Sequence, residues 1–208
     1  MLYKQIGTDT ISALGFGTYC LQQSDVIEYA IDCGINFVDT AEEYDSEEIV
    51  SKIKRKVFIA TKISPENLRY NDVITACDRS LSKLKRDQID LYQIHRPNIN
   101  ITISDTLAAF DYLRKQGKIR YIGVSNFSLN QLKEANSIIN IDSVQNKYSY
   151  IEDEMLSYCK TNNIILIAYE KMYTPDKKSW IINNGNTIAL IKSLNKTHIK
   201  ENCDLLNI

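Results

Sequence analysis

Four side chains that can exchange protons stand at or near the ends of short apolar runs. They are Asp39, Tyr44, Lys62 and His95. Lys62 is the most informative, because a lysine within the apolar segment VFIATKI loses its hydration unless a carboxylate meets it. Asp39 ends the preceding apolar segment, GINFVD, and is the natural partner. The sequence therefore predicts a buried ammonium–carboxylate pair close to a phenol and an imidazole.

This combination of groups predicts proton transfer to an oxygen atom. An ammonium ion held against the Tyr44 phenol would stabilise the phenolate and lower the pKa of Tyr44 from its ordinary value of about 10. Tyr44 would then act as a general acid, and His95 would polarise or orient a carbonyl oxygen beside the hydroxyl. A phenol that protonates a carbonyl oxygen needs a second reagent that attacks the carbonyl carbon. A hydride donor is the simplest such reagent.

Such a cluster forms only if the strands that carry these residues end side by side. Apolar runs alternate with helical repeats along the chain, which predicts eight strands and seven clear helices, beginning with a strand over 11–18 and ending with a helix over 197–206. Region 170–186 interrupts the pattern, so the helix between strands seven and eight is predicted to be shortened or missing. Strict alternation favours parallel strands with right-handed crossovers, and eight such units close into an α/β, (β/α)8 TIM barrel whose strand ends share one mouth.

Composition excludes several classes of protein. The 208 residues can bury one sizeable core and contain no linker-like stretch, so one domain over 1–208 is expected. With 25 basic and 26 acidic residues and a formal net charge of −1, neither nucleic acid nor a membrane surface is an expected partner. No apolar run approaches the roughly 18 residues that span a bilayer, and the N-terminus lacks a signal-peptide pattern, so a cytoplasmic protein is expected. The composition indicates no oligomeric state.

Cysteine and histidine usage disfavours a metal site. The five cysteines are widely spaced and include no Cys-x-x-Cys pair, which is typical of small core residues in a reducing compartment. Only two histidines are present, which further disfavours a zinc site. No metal is therefore expected.

Several strings of the sequence resemble the aldo-keto reductase superfamily. They are GINFVDTAEEY, VFIATK, DLYQIH, GKIRYIGVSNF, QNKYS and NIILIAY. The resemblance runs from about residue 10 to the C-terminus and indicates a member shortened between strands seven and eight. It implies that Asp39, Tyr44, Lys62 and His95 match the family's catalytic tetrad, a term kept here for these four residues. Tyrosine would donate the proton while NADPH delivers hydride to a small aldehyde or ketone, lysine and aspartate would tune the acid, and histidine would orient the carbonyl.

The resemblance also implies an NADP site. Its residues are Gly17, Thr18, Asp39, Ser125, Asn126, Gln145, Tyr169, Lys192, Ser193, His198, Glu201 and Asn202. Within this set, Ser125, Asn126 and Gln145 match the residues that hold the nicotinamide carboxamide. Tyr169 matches the aromatic residue that stacks on the nicotinamide ring.

The remaining matches concern the adenosine end of the cofactor. Lys192 and Ser193 match the pair that meets the 2′-phosphate, and a lysine beside a hydroxyl at a strand end suits a phosphate. His198 matches a basic residue over the adenine, while Glu201 and Asn202 match contacts to the adenine amine. A structural alternative is that Lys192, Lys196 and Lys200 only form the solvated face of a terminal helix. No Gly-x-Gly-x-x-Gly follows the first strand, so a Rossmann fold is disfavoured.

The sequence departs from the family pattern after Tyr169. Serine and proline usually follow that tyrosine, whereas Glu170 and Lys171 follow it here, with a short link to the last strand. A carboxylate near a pyrophosphate would repel it unless Lys171, Lys177 or Lys178 compensates. Weaker NADPH binding than in a full-length relative is therefore expected.

Alternative roles for the same residues stay open. Taken singly, a strand-end aspartate is usually a turn or cap residue, and a strand-end histidine is commonly a hydrogen-bonded structural residue. The whole chain also fits a nucleotide-binding or regulatory barrel with little or no turnover. A third alternative is a different barrel enzyme that uses Lys62 to form a Schiff base.

Overall fold

Short strands and helices alternate along the chain in a computed structural model, which describes residues 1–147, 151, 153–170 and 181–204. The strands are β1 (Tyr3–Ile6), β2 (Asp9–Ser12), β3 (Leu14–Gly17), β4 (Phe37–Asp39), β5 (Phe58–Ile63), β6 (Ile89–Ile94), β7 (Ile119–Ser125), β8 (Ser143–Lys147), β9 (Ile165–Tyr169) and β10 (Thr187–Ile191). The helices are α1 (Asp25–Asp32), α2 (Glu47–Val50), α3 (Tyr70–Leu84), α4 (Ile103–Lys115), α5 (Leu129–Ile138), α6 (Asp153–Thr161) and α7 (Lys196–Asp204). Residues Glu42–Tyr44 and Pro65–Asn67 form single 3₁₀ turns.

Strands β3 to β10 close into a barrel of eight parallel strands. Neighbours in sequence are neighbours in the barrel, and β10 closes it by pairing with both β9 and β3. The predicted (β/α)8 barrel is therefore confirmed. Strand pairing sets Asp39 beside Ala60 and Lys62 beside Gln93, so the carboxyl ends of β4, β5 and β6 lie next to one another.

Side chains that point alternately into and out of the barrel form two apolar layers. The inner layer fills the barrel and includes Phe37, Phe58, Ala60, Leu91, Ile167 and Leu190. Residues one position away, such as Val38, Ile59 and Tyr92, pack under the helices. Since successive side chains of a strand point to opposite faces, Asp39 and Lys62 continue the inward rows of Phe37 and Ala60. The same period places Gln93 in the inward row of Leu91.

The predicted first strand over 11–18 is two strands in the structure. Strand β2 pairs with β1 as an antiparallel hairpin, whereas β3 begins at Leu14 and belongs to the barrel. The chain changes sheets at Ser12, whose hydroxyl donates to the Leu14 carbonyl at 2.5 Å. Ile6 and Ile11 join the apolar layer inside the barrel. The hairpin therefore closes the end of the barrel where the strands begin, opposite the strand ends that carry the tetrad.

The link between β9 and β10 spans residues 170–186 and is as long as the link between β8 and β9, which spans 148–164. Residues 181–183 are helical, and Ile181 and Ile182 are buried. The preceding residues 171–180 lie outside the described ranges, so the lysines predicted to compensate Glu170 are not placed. The predicted end of the last helix, over 205–206, is also outside them. Lys4 of the hairpin anchors the link between β9 and β10. Its ammonium donates to the carbonyls of Ile182 at 2.7 Å and Gly185 at 2.6 Å.

None of the helices in the described part of the chain is long and apolar enough to cross a lipid bilayer.

Candidate active site

The predicted ammonium–carboxylate pair lies inside the barrel, just below its mouth. Lys62 Nζ donates to Asp39 Oδ1 at 2.6 Å and to the Thr40 carbonyl at 2.9 Å. Lys62 is 0% and Asp39 2% exposed. Burial lowers the pKa of Lys62, and the negative charge of Asp39 opposes that shift. The barrel thus supplies the partner that the buried lysine required.

Asp39 is held on its other oxygen by two amides. Gln145 Nε2 donates to Asp39 Oδ2 at 2.8 Å, and Gln93 Nε2 lies 3.4 Å from the same oxygen. Gln93 is fully buried, and its own oxygen lies 3.5 Å from the Ser143 hydroxyl. Gln93 has no role in the sequence-based prediction, although its spacing two residues before His95 places both on one face of a strand. These contacts orient the carboxylate that faces Lys62.

The turn that carries Tyr44 is anchored by Glu42. Its carboxylate accepts from the Ser64 backbone at 3.0 Å, from Asn67 Nδ2 at 2.9 Å and from Arg79 Nη2 at 2.7 Å. Although burial favours the neutral acid, these donors hold the pKa of Glu42 below its ordinary value. The phenol of Tyr44 is therefore presented from a fixed turn rather than from a free loop.

Tyr44 lies between the remaining members of the tetrad. Lys62 Nζ is 5.0 Å from the centroid of its ring, and His95 Nε2 is 3.3 Å from its hydroxyl. Tyr19, which no sequence pattern singled out, packs edge-on at 5.1 Å between ring centroids. Desolvation, with the positive charges of Lys62 and Arg96, lowers the pKa of His95 to about 4. His95 is therefore a neutral imidazole at neutral pH.

The predicted lowering of the Tyr44 pKa is wrong for this structure. The pKa of Tyr44 is raised above its ordinary value, chiefly by burial and then by the negative charge of Asp39. The expected lowering rested on the Lys62 ammonium alone. Because Asp39 lies against that ammonium, the pair has little net charge to offset desolvation of the phenolate. The hydroxyl consequently stays protonated at neutral pH.

The residues implied to hold the nicotinamide adjoin the tetrad. Ser125 Oγ donates to the Gln145 carbonyl at 2.8 Å, and Asn126 Nδ2 donates to the His95 carbonyl at 2.8 Å. Tyr169 donates its hydroxyl to Asn126 Oδ1 at 2.5 Å. Asn126 Nδ2 also lies 3.2 Å from the Ser125 hydroxyl, so Ser125, Asn126, Gln145 and Tyr169 form one connected group on the rim beside the tetrad.

Gly17 ends β3 and Thr18 follows it, on the opposite side of Asp39. Thr18 is buried, and its hydroxyl donates to the Asp39 carbonyl at 3.0 Å while lying 2.8 Å from the Ser46 hydroxyl. A methyl group added at Gly17 would meet only the Ile191 carbonyl, at 3.7 Å. Thr18 therefore stabilises the backbone at Asp39, where β4 ends. Gly17 leaves space beside that strand end.

The residues implied to bind the adenosine end lie farther round the rim. Lys192 Nζ is 5.1 Å from the centroid of the Tyr19 ring, which links it to the tetrad through that aromatic residue. Ser193 Oγ accepts from the Asn195 backbone at 3.0 Å. His198, Glu201 and Asn202 share one face of α7, a helix that packs against α1. These three residues therefore lie in the helix layer outside the barrel strands, whereas the tetrad lies at or near the strand ends.

Glu170, the residue predicted to repel a pyrophosphate, lies near a cation that the sequence did not reveal. Lys147 Nζ, at the end of β8, is 3.9 Å from Glu170 Oε1. The two residues are distant in sequence and come together only because β8 and β9 pair in parallel. Glu170 also has φ of 117°, a backbone conformation uncommon outside glycine.

The described residues include no group of three or more His, Cys, Asp or Glu side chains that could hold a metal ion. The tetrad contributes one carboxylate, and that carboxylate is engaged by Lys62 and Gln145. The mouth of the barrel contains one phenolic hydroxyl, one neutral imidazole and a buried ion pair.

Known proteins resemble the chain over the same residues. Positions 13–174 match the model of the aldo/keto reductase family. A glyoxal reductase of Bacillus subtilis (strain 168) is 32% identical over 187 residues, which cover 85% of this chain and 66% of that protein. The aldo-keto reductase yakc [NADP(+)] of Schizosaccharomyces pombe is 30% identical over 202 residues, with coverage of 80% and 59%. The chain spans about three fifths of the length of several curated relatives that it matches.

Solved structures show the same fold. A thermostable aldo-keto reductase, Tm1743, crystallised with the inhibitor epalrestat, superposes with a TM-score of 0.91 at 30% identity. The superposition covers 100% of this chain and 95% of that chain.

Proposed function

Because the chain belongs to the aldo/keto reductase family, we propose that it reduces small aldehydes or ketones to alcohols by hydride transfer from NADPH, with Tyr44 as the general acid. One observation carries the proposal. A fully buried Lys62–Asp39 pair lies 5.0 Å from the Tyr44 ring, and the Tyr44 hydroxyl is 3.3 Å from a neutral His95. A structural ion pair needs no tyrosine and histidine arranged beside it at a strand-end mouth.

In the proposed reaction Tyr44 passes its hydroxyl proton to the carbonyl oxygen as hydride reaches the carbonyl carbon. The raised pKa of Tyr44 keeps this proton in place at neutral pH. The oxygen that receives it is becoming an alkoxide, which is more basic than a phenolate, so the transfer is favourable. The Lys62 ammonium stabilises the phenolate left behind only in part, because Asp39, which holds Lys62, offsets much of its charge. His95 orients the carbonyl beside the hydroxyl.

The proposed cofactor is NADP(H), which supplies the hydride when bound. Asn126, Gln145 and Tyr169 would hold the nicotinamide, since they adjoin the tetrad on one rim. Lys192 would meet the 2′-phosphate as a point charge, with Ser193 beside it. The similarity to a relative named for NADP(+) and to a glyoxal reductase supports this cofactor and a small carbonyl substrate.

A rate assay tests Tyr44 directly. NADPH oxidation with a small aldehyde such as glyoxal is measured for the wild type, for Tyr44→Phe and for a matched control, Tyr112→Phe, whose tyrosine is exposed. Loss of a general acid is expected to lower kcat by about 10²- to 10⁴-fold in Tyr44→Phe, with little change in the control. NADPH binding, followed by protein fluorescence, should persist in Tyr44→Phe. Equal turnover in the wild type and Tyr44→Phe would exclude Tyr44 as the acid.

A nucleotide-binding barrel with little or no turnover is the second candidate. Glu170 favours it, because its carboxylate follows Tyr169, which would face the nicotinamide, and a carboxylate near a pyrophosphate repels it. The same measurements separate the two functions. NADPH binding without oxidation, for a panel of aldehydes and ketones, would favour the binding function.

A further inference from the structure

Two cysteine side chains in the helix layer lie against each other, away from the tetrad. Cys33 is the residue that ends α1, and Cys203 lies in the last turn of α7. Both are free thiols, and the two side chains interact directly. Cys203 is 2% exposed, whereas Cys33 is only partly buried. The pair therefore consists of one thiol that solvent reaches and one that it does not.

The packing of α7 against α1 brings these thiols together. The two helices follow β10 and β3, which pair in parallel, so both helices return across the barrel in the same direction. Near the helix starts, Lys196 Nζ lies 3.6 Å from Asp25 Oδ2 and 5.7 Å from the centroid of the Tyr29 ring. Cys33 follows Asp25 by eight residues and Cys203 follows Lys196 by seven. These spacings correspond to about 12 Å and about 10 Å of helix, so the register set at the starts aligns the two thiols.

The two thiols differ in how readily they react. Burial, together with the neighbouring Cys33, raises the pKa of Cys203 to about 12, and a thiolate rather than a thiol is the nucleophile. Cys33 is partly exposed at the end of its helix, and the Tyr29 side chain contacts it. An oxidant arriving from solvent therefore meets Cys33 first, while Cys203 is held next to the sulfur that has been oxidised.

We propose that Cys33 and Cys203 form a reversible disulfide when hydrogen peroxide oxidises the protein. The Cys33 thiolate attacks one peroxide oxygen, which forms an S–O bond and breaks the O–O bond, and the released hydroxide takes up the thiol proton as water. Cys203 then attacks the Cys33 sulfur, which forms the S–S bond, breaks the S–O bond and releases a second water. The two thiols together lose two electrons and two protons, and one peroxide is reduced to two waters.

Such a bond would join the C-terminal ends of the first and the last helix of the barrel. A dithiol reductant reverses it, so the bond would be transient in a reducing compartment. The spacing of the cysteines in the sequence gives no sign of this pair, because Cys33 and Cys203 lie near opposite ends of the chain and meet only when β10 closes the barrel against β3.

Peptide mapping of the folded protein tests the proposal. The full chain is treated with about one equivalent of hydrogen peroxide, its remaining thiols are alkylated, and a digest is analysed by mass spectrometry without reduction. A peptide pair linked through Cys33 and Cys203 is expected, and dithiothreitol should separate it. Cys20→Ser, which removes an exposed thiol, is the matched control and should form the same link. In Cys203→Ser the Cys33 sulfenic acid should persist and be trapped by dimedone.

Other products would contradict this assignment. Both thiols remaining free after peroxide treatment would overturn the proposal, and so would a disulfide from Cys33 to Cys20 or a wild-type Cys33 that proceeds to sulfinic acid without forming the link. Because the readout needs neither NADPH nor a carbonyl substrate, these outcomes are independent of whether the chain is a reductase.

Discussion

Desolvation decides the properties of single residues in this site. The Lys62 ammonium is completely buried, and it is tolerated because Asp39 and the Thr40 carbonyl accept its hydrogen bonds. The same burial raises the pKa of Tyr44 and lowers that of His95, since each shift favours the uncharged form. The site thus holds a neutral acid and a neutral imidazole around one charged pair, which suits a reaction in which charge develops only transiently.

The lowered pKa of His95 predicts a pH dependence of stability. The folded value is about 4 against 6.5 for an ordinary histidine, so the unfolded chain binds more protons between these limits. Stability from this group is therefore complete above about pH 6.5 and is lost as the pH falls toward 4. Relative to His95→Asn, the wild type should lose free energy of unfolding of the order of 2–3 kcal/mol across this window.

Urea denaturation of the wild type and His95→Asn at about pH 7.5 and about pH 4.5 measures this difference, and other titrating groups cancel between the two proteins. His198→Asn, which alters an exposed histidine, is the control. A stability difference between wild type and His95→Asn that does not change with pH would show that His95 is not held neutral.

Two serines that precede helices differ in whether their side chains cap the helix. Ser24 and Ser128 each precede a helix, and each is typical of an N-cap in sequence. In the structure Ser128 Oγ accepts from the Gln131 backbone at 3.3 Å, and Gln131 Oε1 accepts from the Ser128 backbone at 2.9 Å, which makes a capping box for α5. The Ser24 side chain makes no capping hydrogen bond.

Replacing each serine by alanine compares the two ends. Ser128→Ala is expected to lower the free energy of unfolding by about 1 kcal/mol, because α5 loses a cap. Ser24→Ala is expected to change it by much less, since no cap is lost. Both variants are measured by urea denaturation under the same conditions. Equal effects from the two substitutions would contradict this assignment of the caps.

At the scale of the whole molecule, the barrel is a filled core that opens at one end. Ile6 and Ile11 of the hairpin enter the inner apolar layer where the strands begin. Gly15, farther along β3, lies where a methyl group would overlap the Phe37 ring and come within 2.6 Å of Leu190 Cδ2. Gly17, two residues later on the same strand, has space around it. Packing is therefore tight within the barrel and looser at the mouth.

Alanine at these two glycines measures that difference. Gly15→Ala is expected to destabilise the fold by about 1–3 kcal/mol, because the added methyl group overpacks the barrel. Gly17→Ala should leave stability nearly unchanged, since its nearest neighbour would be the Ile191 carbonyl at 3.7 Å. Thermal unfolding of both variants gives the comparison. A larger loss from Gly17→Ala than from Gly15→Ala would mean that the barrel does not widen toward the mouth.

Local patterns in the sequence determined the alternation of strands and helices, the eight-stranded barrel and the strand-end positions of Asp39, Lys62 and His95. These features depend on hydrophobic period and on residues near one another in the chain, so no long-range distance is needed to predict them. The pairing of Lys62 with Asp39 was also predictable, because an isolated lysine in an apolar strand has no other low-energy arrangement.

Only the tertiary structure decided the remaining features. It separated the hairpin from the barrel strand, placed Lys147 near Glu170 and Glu43 near His95, and reversed the expected direction of the Tyr44 pKa shift. Strand β3 belongs to the barrel because it pairs with β4 and β10. The other three features depend on distances between residues that are separated in the chain and on how completely water is excluded from them. A local sequence pattern predicts neither these distances nor this exclusion of water, because both arise only when the eight strands close around a shared interior.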